Sequence, residues 1–369
     1  MNMIASQLQY ITQRFPLGNL DRPPSMNATT GGRPLLGTTT RRATNISINA
    51  SGLVNDRLKD VKAFDETKLG VKGLVNSGIT QIPFIFHHPS ENLVNSEPGP
   101  VADPIPIIDL SGPTSEVVGR IRDAANKFGF FQVVNHGVPI SVLDGLVNGV
   151  KGFHELADEL RLGPTPPDFD AIPPVCRNEI LEWDKEVKQL GERLLGLISQ
   201  GLGVNADKLK EMSCSEGRVM VGHYYPYCPE PNKTVGLAHH TDPGVLTVLL
   251  QDQIGGLQVK HNGKWVDVKP IHGALVINVG DLLQIISNDK YTSVEHRVYA
   301  NPLHEPRVSI AVFFNPGVRE NLYGPLPEIV SAEEPAHYQQ FTFTNFITRF
   351  FKKELDGKSL VNYFSLENK

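Results

Sequence analysis

Cysteine is scarce in this chain. The three present, Cys176, Cys214 and Cys228, are odd in number and widely spaced, with no CxxC pair. This excludes a disulfide framework and a cysteine-based zinc site, and it points to a reducing, cytoplasmic setting. Positive charge is not in excess either: 35 Lys and Arg against 40 Asp and Glu leave a net charge of -5, with a pI near 6.2. No nucleic-acid partner is therefore expected, because a phosphate backbone needs a basic face. No apolar run approaches the length that crosses a bilayer. The first residues lack the charged-then-apolar order of a secretory signal, so the sequons at Asn27, Asn45 and Asn49 carry little meaning. No internal repeat is present, and nothing marks an obligate protein partner. What is there, 40% hydrophobic and 20% charged residues, suits a soluble globular protein with a sizeable core.

Four regions follow along the chain. Residues 1–55 are rich in Ser, Thr, Asn, Gly and Arg, with Asp21 as their only acid. They read as a disordered tail with too little apolar surface to fold, or alternatively as an organelle transit peptide. Residues 56–215 mix helices and strands: helical spacing over 56–78, a Pro-rich linker over 98–106, a short strand at Ile105–Leu110, a helix over Glu116–Phe128, a strand at 129–134, a helix over Val142–Glu159 and a long helix over Glu179–Gly201. Five prolines between Gly163 and Pro174 exclude a helix there. From 216 to 317 the pattern changes to short strands, at Val219–Tyr225, Leu246–Leu250, Leu257–His261, Lys264–Val268, Ala274–Val279, Ser293–Tyr299 and Arg307–Phe314. Asn262-Gly263 between two of them is a strong hairpin signal, and Gly255-Gly256 marks another turn. Many short strands separated by turns predict a sandwich or barrel. Residues 318–369 end the chain, with a helix expected over Pro335–Phe351.

The chemistry concentrates in the β-rich region. His240-Thr241-Asp242 reads as strand, where residues two apart share a face. His240 and Asp242 can then reach one metal while His239 points away. His296 follows later, at a spacing that suits a strand on the opposite wall of a barrel. Two imidazoles and one carboxylate form the facial set of non-haem iron oxygenases, which leaves coordination positions open. Zinc competes on ligand type, but the HExxH signature of zinc hydrolases is absent. Arg307-Val308-Ser309 repeats the i, i+2 arrangement. A guanidinium binds a carboxylate through two parallel hydrogen bonds, and a neighbouring hydroxyl adds another; Tyr225 is a further donor. His223, His261, His272 and His304 receive no role. Trp265 and Phe313-Phe314 read as core.

These residues resemble those of the plant 2-oxoglutarate- and iron(II)-dependent dioxygenases. The matches run from Pro104-Ile105-Pro106-Ile107-Ile108-Asp109-Leu110 and Gly129–Gly137 through Tyr224-Tyr225-Pro226 and the stretch His240–Asp252. They continue with Asn278-Val279-Gly280-Asp281, Glu295-His296-Arg297 and Arg307-Val308-Ser309. The segment from Asp56 to Val75 resembles one subgroup, the 1-aminocyclopropane-1-carboxylate oxidase homologues and deacetoxyvindoline 4-hydroxylase. The resemblance implies a distorted double-stranded β-helix, or jelly roll, flanked by helices. It implies Fe(2+) on His240, Asp242 and His296, and 2-oxoglutarate anchored by Arg307 and Ser309 with help from Tyr225. Dioxygen would be the second co-substrate and ascorbate a reductant. The reaction would oxidise a small specialised metabolite by hydroxylation, demethylation or desaturation, releasing succinate and carbon dioxide. Two departures stand out: His223 occupies a position where many relatives carry Asn, and a few dozen residues that relatives carry after Glu155 are missing near 156–174. An ascorbate-dependent 1-aminocyclopropane-1-carboxylate oxidase and a catalytically impaired jelly-roll binding protein are the alternative readings. The long segment before Ile105 argues against the first, and the shortened segment favours the second.

Overall fold

Apolar side chains alternate along the strands after residue 217, and the alternation divides the buried residues into two sets. On β11 (Arg307–Asn315), Val308, Ile310, Val312 and Phe314 join the larger apolar cluster. Arg307, Ser309, Ala311 and Phe313 face the other way, as a strand's period of two requires. The computed structural model describes residues 12–17, 54–89, 93, 104–156, 172–352 and 359–367. The seven-stranded sheet has the order β1-β4-β11-β6-β9-β3-β2. Its other members are β1 (Thr12–Leu17), β2 (Ile107–Asp109), β3 (Phe130–Val134), β4 (Gly217–Tyr225), β6 (Leu246–Gln251) and β9 (Leu275–Val279). All its pairs are antiparallel except β2–β3. A four-stranded sheet of order β5-β10-β7-β8 consists of β5 (Val235–His240), β7 (Leu257–His261), β8 (Lys264–Asp267) and β10 (His296–Tyr299).

The two sheets face each other. Phe130, Tyr225 and Val276 from the large sheet meet Leu257, Val259 and Val298 from the small one in a second, smaller apolar cluster. This is the jelly roll that the resemblance implies, and the site lies between its sheets. The hairpin between β7 and β8 turns at Asn262 and Gly263, with φ of 48° and 76° and His261 opposite Lys264, the positive pair that a type I′ turn needs.

Helices cover the outer face of the large sheet. Helix α3 (Thr114–Lys127) buries Val117, Ile121, Ala124 and Ala125, spacings that make one apolar stripe. Helix α4 (Ile140–Glu155) and the long α5 (Pro174–Gly201) add Leu146, Val150, Trp183, Val187 and Leu194 to the same core. Helices α1 (Val54–Thr67) and α2 (Gly70–Asn76) precede them, and the one-turn α6 (Lys208–Glu211) follows α5. Among the described residues no helix is long and apolar enough to cross a membrane.

Some expectations need correction. Residues 335–342 are not helical. A two-residue strand, β13 (Phe341–Thr342), pairs with β12 (Leu322–Tyr323), and the helix spans only Phe343–Lys352 (α8, which follows α7, Asp281–Ile286; a last helix, α9, is Ser359–Phe364). Polar tethers hold that stretch in an irregular path: the His337 backbone N–H donates to Asn288 Oδ1 at 2.8 Å, and the Tyr338 hydroxyl to Asp289 Oδ1 at 2.5 Å. Within the region read as a disordered or transit-like tail, Thr12–Leu17 pairs with β4 along the sheet edge. Its Pro16 suits an edge position, where a missing N–H is tolerated. Residues 1–11 and 18–53 of that tail, the linker residues 98–103 and most of the shortened segment, 157–171, lie outside the described residues, while Val54 and Asn55 begin α1.

One corner couples the fold to the site. Helix α7 (Asp281–Ile286) starts directly after Gly280, whose N–H donates to Val245 O at 3.0 Å. The Asp281 N–H donates to Asp242 O at 2.7 Å, and the Leu282 N–H to Gly244 O at 3.1 Å. A Cβ on Gly280 would lie 2.1 Å from Gly244 O and 3.2 Å from Asp242 O, both backbone atoms. Gly280→Ala is therefore expected to destabilise the protein by about 1–3 kcal/mol, read as a lowered denaturant midpoint. Gly119→Ala, in α3 with open space around the added methyl, should be neutral or stabilising by up to about 1 kcal/mol.

Candidate active site

Strand pairing brings the two histidines together. His240 ends β5 and His296 begins β10, and the two residues stand directly opposite each other in the antiparallel pair. Their rings lie 4.2 Å apart between centroids. The expectation of strands on opposite walls is thus corrected: the strands are neighbours in the small sheet. A second correction concerns Asp242, which does not share a strand with His240. The strand stops at His240, and Asp242 lies in the irregular segment before Pro243. Its carboxylate still reaches the same point, because the α7 corner fixes its backbone.

The carboxylate is divided between two tasks. Asp242 Oδ2 accepts hydrogen bonds from Thr247 Oγ1 at 2.6 Å and Asn278 Nδ2 at 2.8 Å. Both donors project inward from neighbouring positions of β6 and β9. Oδ1 is left facing His240 Nε2 at 3.6 Å and His296 Nε2 at 3.7 Å. The far ring nitrogens point to backbone carbonyls, His240 Nδ1 to Ala238 O at 2.8 Å and His296 Nδ1 to Val294 O at 3.4 Å. Such partners favour the tautomer that carries its proton on Nδ1 and presents a lone pair on Nε2. Burial and the nearby His240 push the His296 imidazole down to about 4, so it stays neutral. Burial alone would raise the Asp242 carboxyl, but the His296 and His240 rings and the Thr247 and Asn278 donors outweigh it and hold it below the usual carboxylate range.

These three side chains form a cluster able to hold a metal ion, with all ligand atoms within 4.8 Å of one another. Two imidazole nitrogens and one carboxylate oxygen on one side suit an iron(II) ion with open positions. Phe130 packs its ring 5.2 Å from that of His296, and the inner apolar cluster walls the rest. His239 points outward, as expected, to Glu295 Oε1 at 3.3 Å.

Arg307, Ser309 and Tyr225 gather on the inward face of the large sheet. Arg307 pairs in register with Tyr225, and its guanidinium carbon sits 5.0 Å from the tyrosine ring. Its Nη1 donates to Ser309 Oγ at 2.9 Å, its Nη2 to Gln251 Oε1 at 3.1 Å and its Nε to Gly255 O. The Gly255-Gly256 turn thus carries part of the site: Gly255 O accepts from Arg307, and the turn needs φ of 85° and 92°, a conformation that glycine adopts without strain. Arg307 is 1% exposed, yet every acceptor it contacts here is neutral. The acid that influences it, Asp252, directs its own carboxylate to the N–H groups of Ile254 and Val308. A buried cation without a carboxylate partner among the described residues fits a site completed by an anionic ligand.

One residue given no role from the sequence belongs here. His223 is buried on the inward face of β4, opposite Ser309, and its ring lies 6.0 Å from that of Tyr225. Its Nδ1 has no hydrogen-bond partner among the described residues. Burial, with Arg307 and His240 nearby, pushes its pKa down to about 3. The period-two pattern Val221, His223, Tyr225 carried the signal. The other histidines pack elsewhere: His261 stacks on Phe128, His304 on Tyr227, and His272 meets Asp144 at 3.0 Å.

Comparison with known proteins agrees with this geometry. Residues 216–316 match the 2OG-Fe(II) oxygenase superfamily, and residues 105–163 match the N-terminal region of the non-haem dioxygenases in morphine synthesis. The 1-aminocyclopropane-1-carboxylate oxidase homolog 4 of Arabidopsis thaliana is 44% identical over 347 residues, spanning 84% of this chain and 98% of that protein. Deacetoxyvindoline 4-hydroxylase of Catharanthus roseus is 40% identical over 379 residues, spanning 89% and 94%. Among solved structures, JOX2 in complex with 2OG, Fe and JA superposes with a TM-score of 0.72 at 32% identity, over 80% of this chain and 97% of that one. The rice dioxygenase for auxin oxidation superposes at 0.62 with 28% identity, over 71% and 99%. With a convergent His-Asp-His cluster inside a jelly roll and relatives matched along nearly their whole length, the chain belongs to the 2-oxoglutarate- and iron(II)-dependent oxygenase superfamily, oxidoreductases that use iron(II), 2-oxoglutarate and dioxygen.

Proposed function

We propose that this protein oxidises a small specialised metabolite at an iron(II) ion held by His240, Asp242 and His296, with the distal carboxylate of 2-oxoglutarate on Arg307, Ser309 and Tyr225. The observation that carries the reading is the pairing of two incomplete sites between the same sheets. One has three donor atoms converging on a point, and the other is a buried cation lacking an anion. Bound iron(II) supplies the activation of dioxygen, coupled to decarboxylation of 2-oxoglutarate to succinate and carbon dioxide.

The chain's residues position and protect. Thr247 and Asn278 hold one oxygen of Asp242 so that the other faces the histidines. The backbone acceptors at Ala238 and Val294 orient the imidazoles. Arg307 fixes the far end of a diacid, so its keto acid end points towards the triad. Phe130, Leu257, Val259 and Val298 form an apolar wall between the sheets, and a low-dielectric setting strengthens polar contacts beside it. The relatives include a hydroxylase of deacetoxyvindoline, which supports hydroxylation of a plant metabolite as the reaction. We assign residues 216–317 as the core that supplies the ligands, 56–215 and 318–369 as its cover, and 1–55 as a tail. Free thiols at Cys176, Cys214 and Cys228 support a cytoplasmic setting.

The deciding experiment supplies purified protein with iron(II), 2-oxoglutarate, oxygen and ascorbate, and screens aromatic and alkaloid metabolites. Succinate formation that needs both iron and 2-oxoglutarate is expected. Turnover that consumes ascorbate without 2-oxoglutarate would instead identify a 1-aminocyclopropane-1-carboxylate oxidase, and metabolite binding without turnover an impaired binding protein.

Two variant series probe the roles separately. Arg307→Leu should raise the KM for 2-oxoglutarate by about 10–100-fold, the scale of hydrogen bonds to a charged group. Thr247→Val and Asn278→Leu should each weaken metal binding by about 10–100-fold, as loss of ligand-orienting contacts does, measured by anaerobic iron(II) titration.

A further inference from the structure

The anchor is wider than the residues so far assigned to it. Ser309 on the central strand β11 stands opposite Gln251 on β6, and Gln251 points inward with its side chain buried. Its Oε1 accepts from Arg307 Nη2 at 3.1 Å. A guanidinium only donates, so this contact decides which end of the amide is oxygen. The amide nitrogen is left buried with no hydrogen-bond partner among the described residues. Buried donors are almost always satisfied, and this one adjoins a cation that also lacks its anion. The two deficits are complementary: one carboxylate oxygen pair can answer both.

Resting on the co-substrate reading above, we infer that Gln251 is a further binding residue for the distal carboxylate of 2-oxoglutarate, its Nε2 donating to that group while its Oε1 holds Arg307 in place. One amide thereby orients the cation and reads the ligand. The arrangement also favours glutamine over glutamate at this position. An acid there would pair with Arg307 itself and repel the diacid.

The test compares two ligands of cobalt(II)-loaded protein by calorimetry. These are 2-oxoglutarate and 2-oxopentanoate, which has the same keto acid end and chain length but no distal carboxylate. Gln251→Met, close in shape and without the donor, should weaken 2-oxoglutarate by about 10–100-fold and 2-oxopentanoate by less than about 2-fold. Gln251→Glu should weaken 2-oxoglutarate further still. Cobalt affinity and melting temperature, read on the same samples, establish that each variant is folded. Equal loss for both acids would reduce Gln251 to a packing role and overturn the inference, as would full retention of 2-oxoglutarate by Gln251→Met. A wild-type protein that takes up cobalt but does not bind 2-oxoglutarate overturns the co-substrate reading itself, and this inference with it.

Discussion

Holding two imidazoles and a carboxylate at one point between two sheets is the constraint on which the rest of the structure depends. Each group is held from behind. The His240 and His296 rings lean on backbone carbonyls through Nδ1, and Asp242 is gripped through one oxygen by Thr247 and Asn278. The small sheet supplies both histidines, while the large sheet supplies the two groups that aim the carboxylate. Neither sheet can build the centre alone. Their separation is therefore part of the chemistry, and the inner apolar cluster that sets it is as much a site element as a core.

The rigidity behind that arrangement comes from the other face of the large sheet. Helices α3, α4 and α5 bury their apolar stripes there, around fully enclosed residues such as Trp183, Phe131 and Phe314. A sheet clamped in this way can display polar residues inward at fixed spacing, the support that a preorganised site needs. The corner at Gly280 links the two levels. Its lack of a side chain lets α7 press on the backbone of Asp242 and Gly244, so the position of Asp242 is set by a packing contact.

Along β11 the same alternation gives a second, charged station. Arg307 keeps its cation buried among neutral acceptors, with Ser309, Tyr225, Gln251 and His223 around it. An uncompensated charge is costly in such a place. Under the proposed reading a diacid would offset that cost, and the station lies between the same two sheets as the His240, Asp242 and His296 cluster.

Much of this was legible in the residues. The period-two strands from 217 onward, the Asn262-Gly263 hairpin and the helical stripes of α3 and α5 follow from local spacing, which depends on neighbours a few residues apart. The candidate residues could be named from the chain because few chemistries need His, Asp, His, Arg and Ser in that order, and the fold brings the first three of them into one cluster. What the sequence could not decide was placement. It suggested a strand through Asp242 and opposite walls for the two histidines. The tertiary structure ended the strand at His240 and made β5 and β10 neighbours, since strand pairing joins residues far apart in the chain. It also ended the helix expected over residues 335–342, where side chains of Asn288 and Asp289 compete for that segment. His223 and Gln251 stayed silent until register set them on either side of Ser309. Local periodicity is written in the chain itself, whereas register and the meeting of two sheets arise only when distant segments pack.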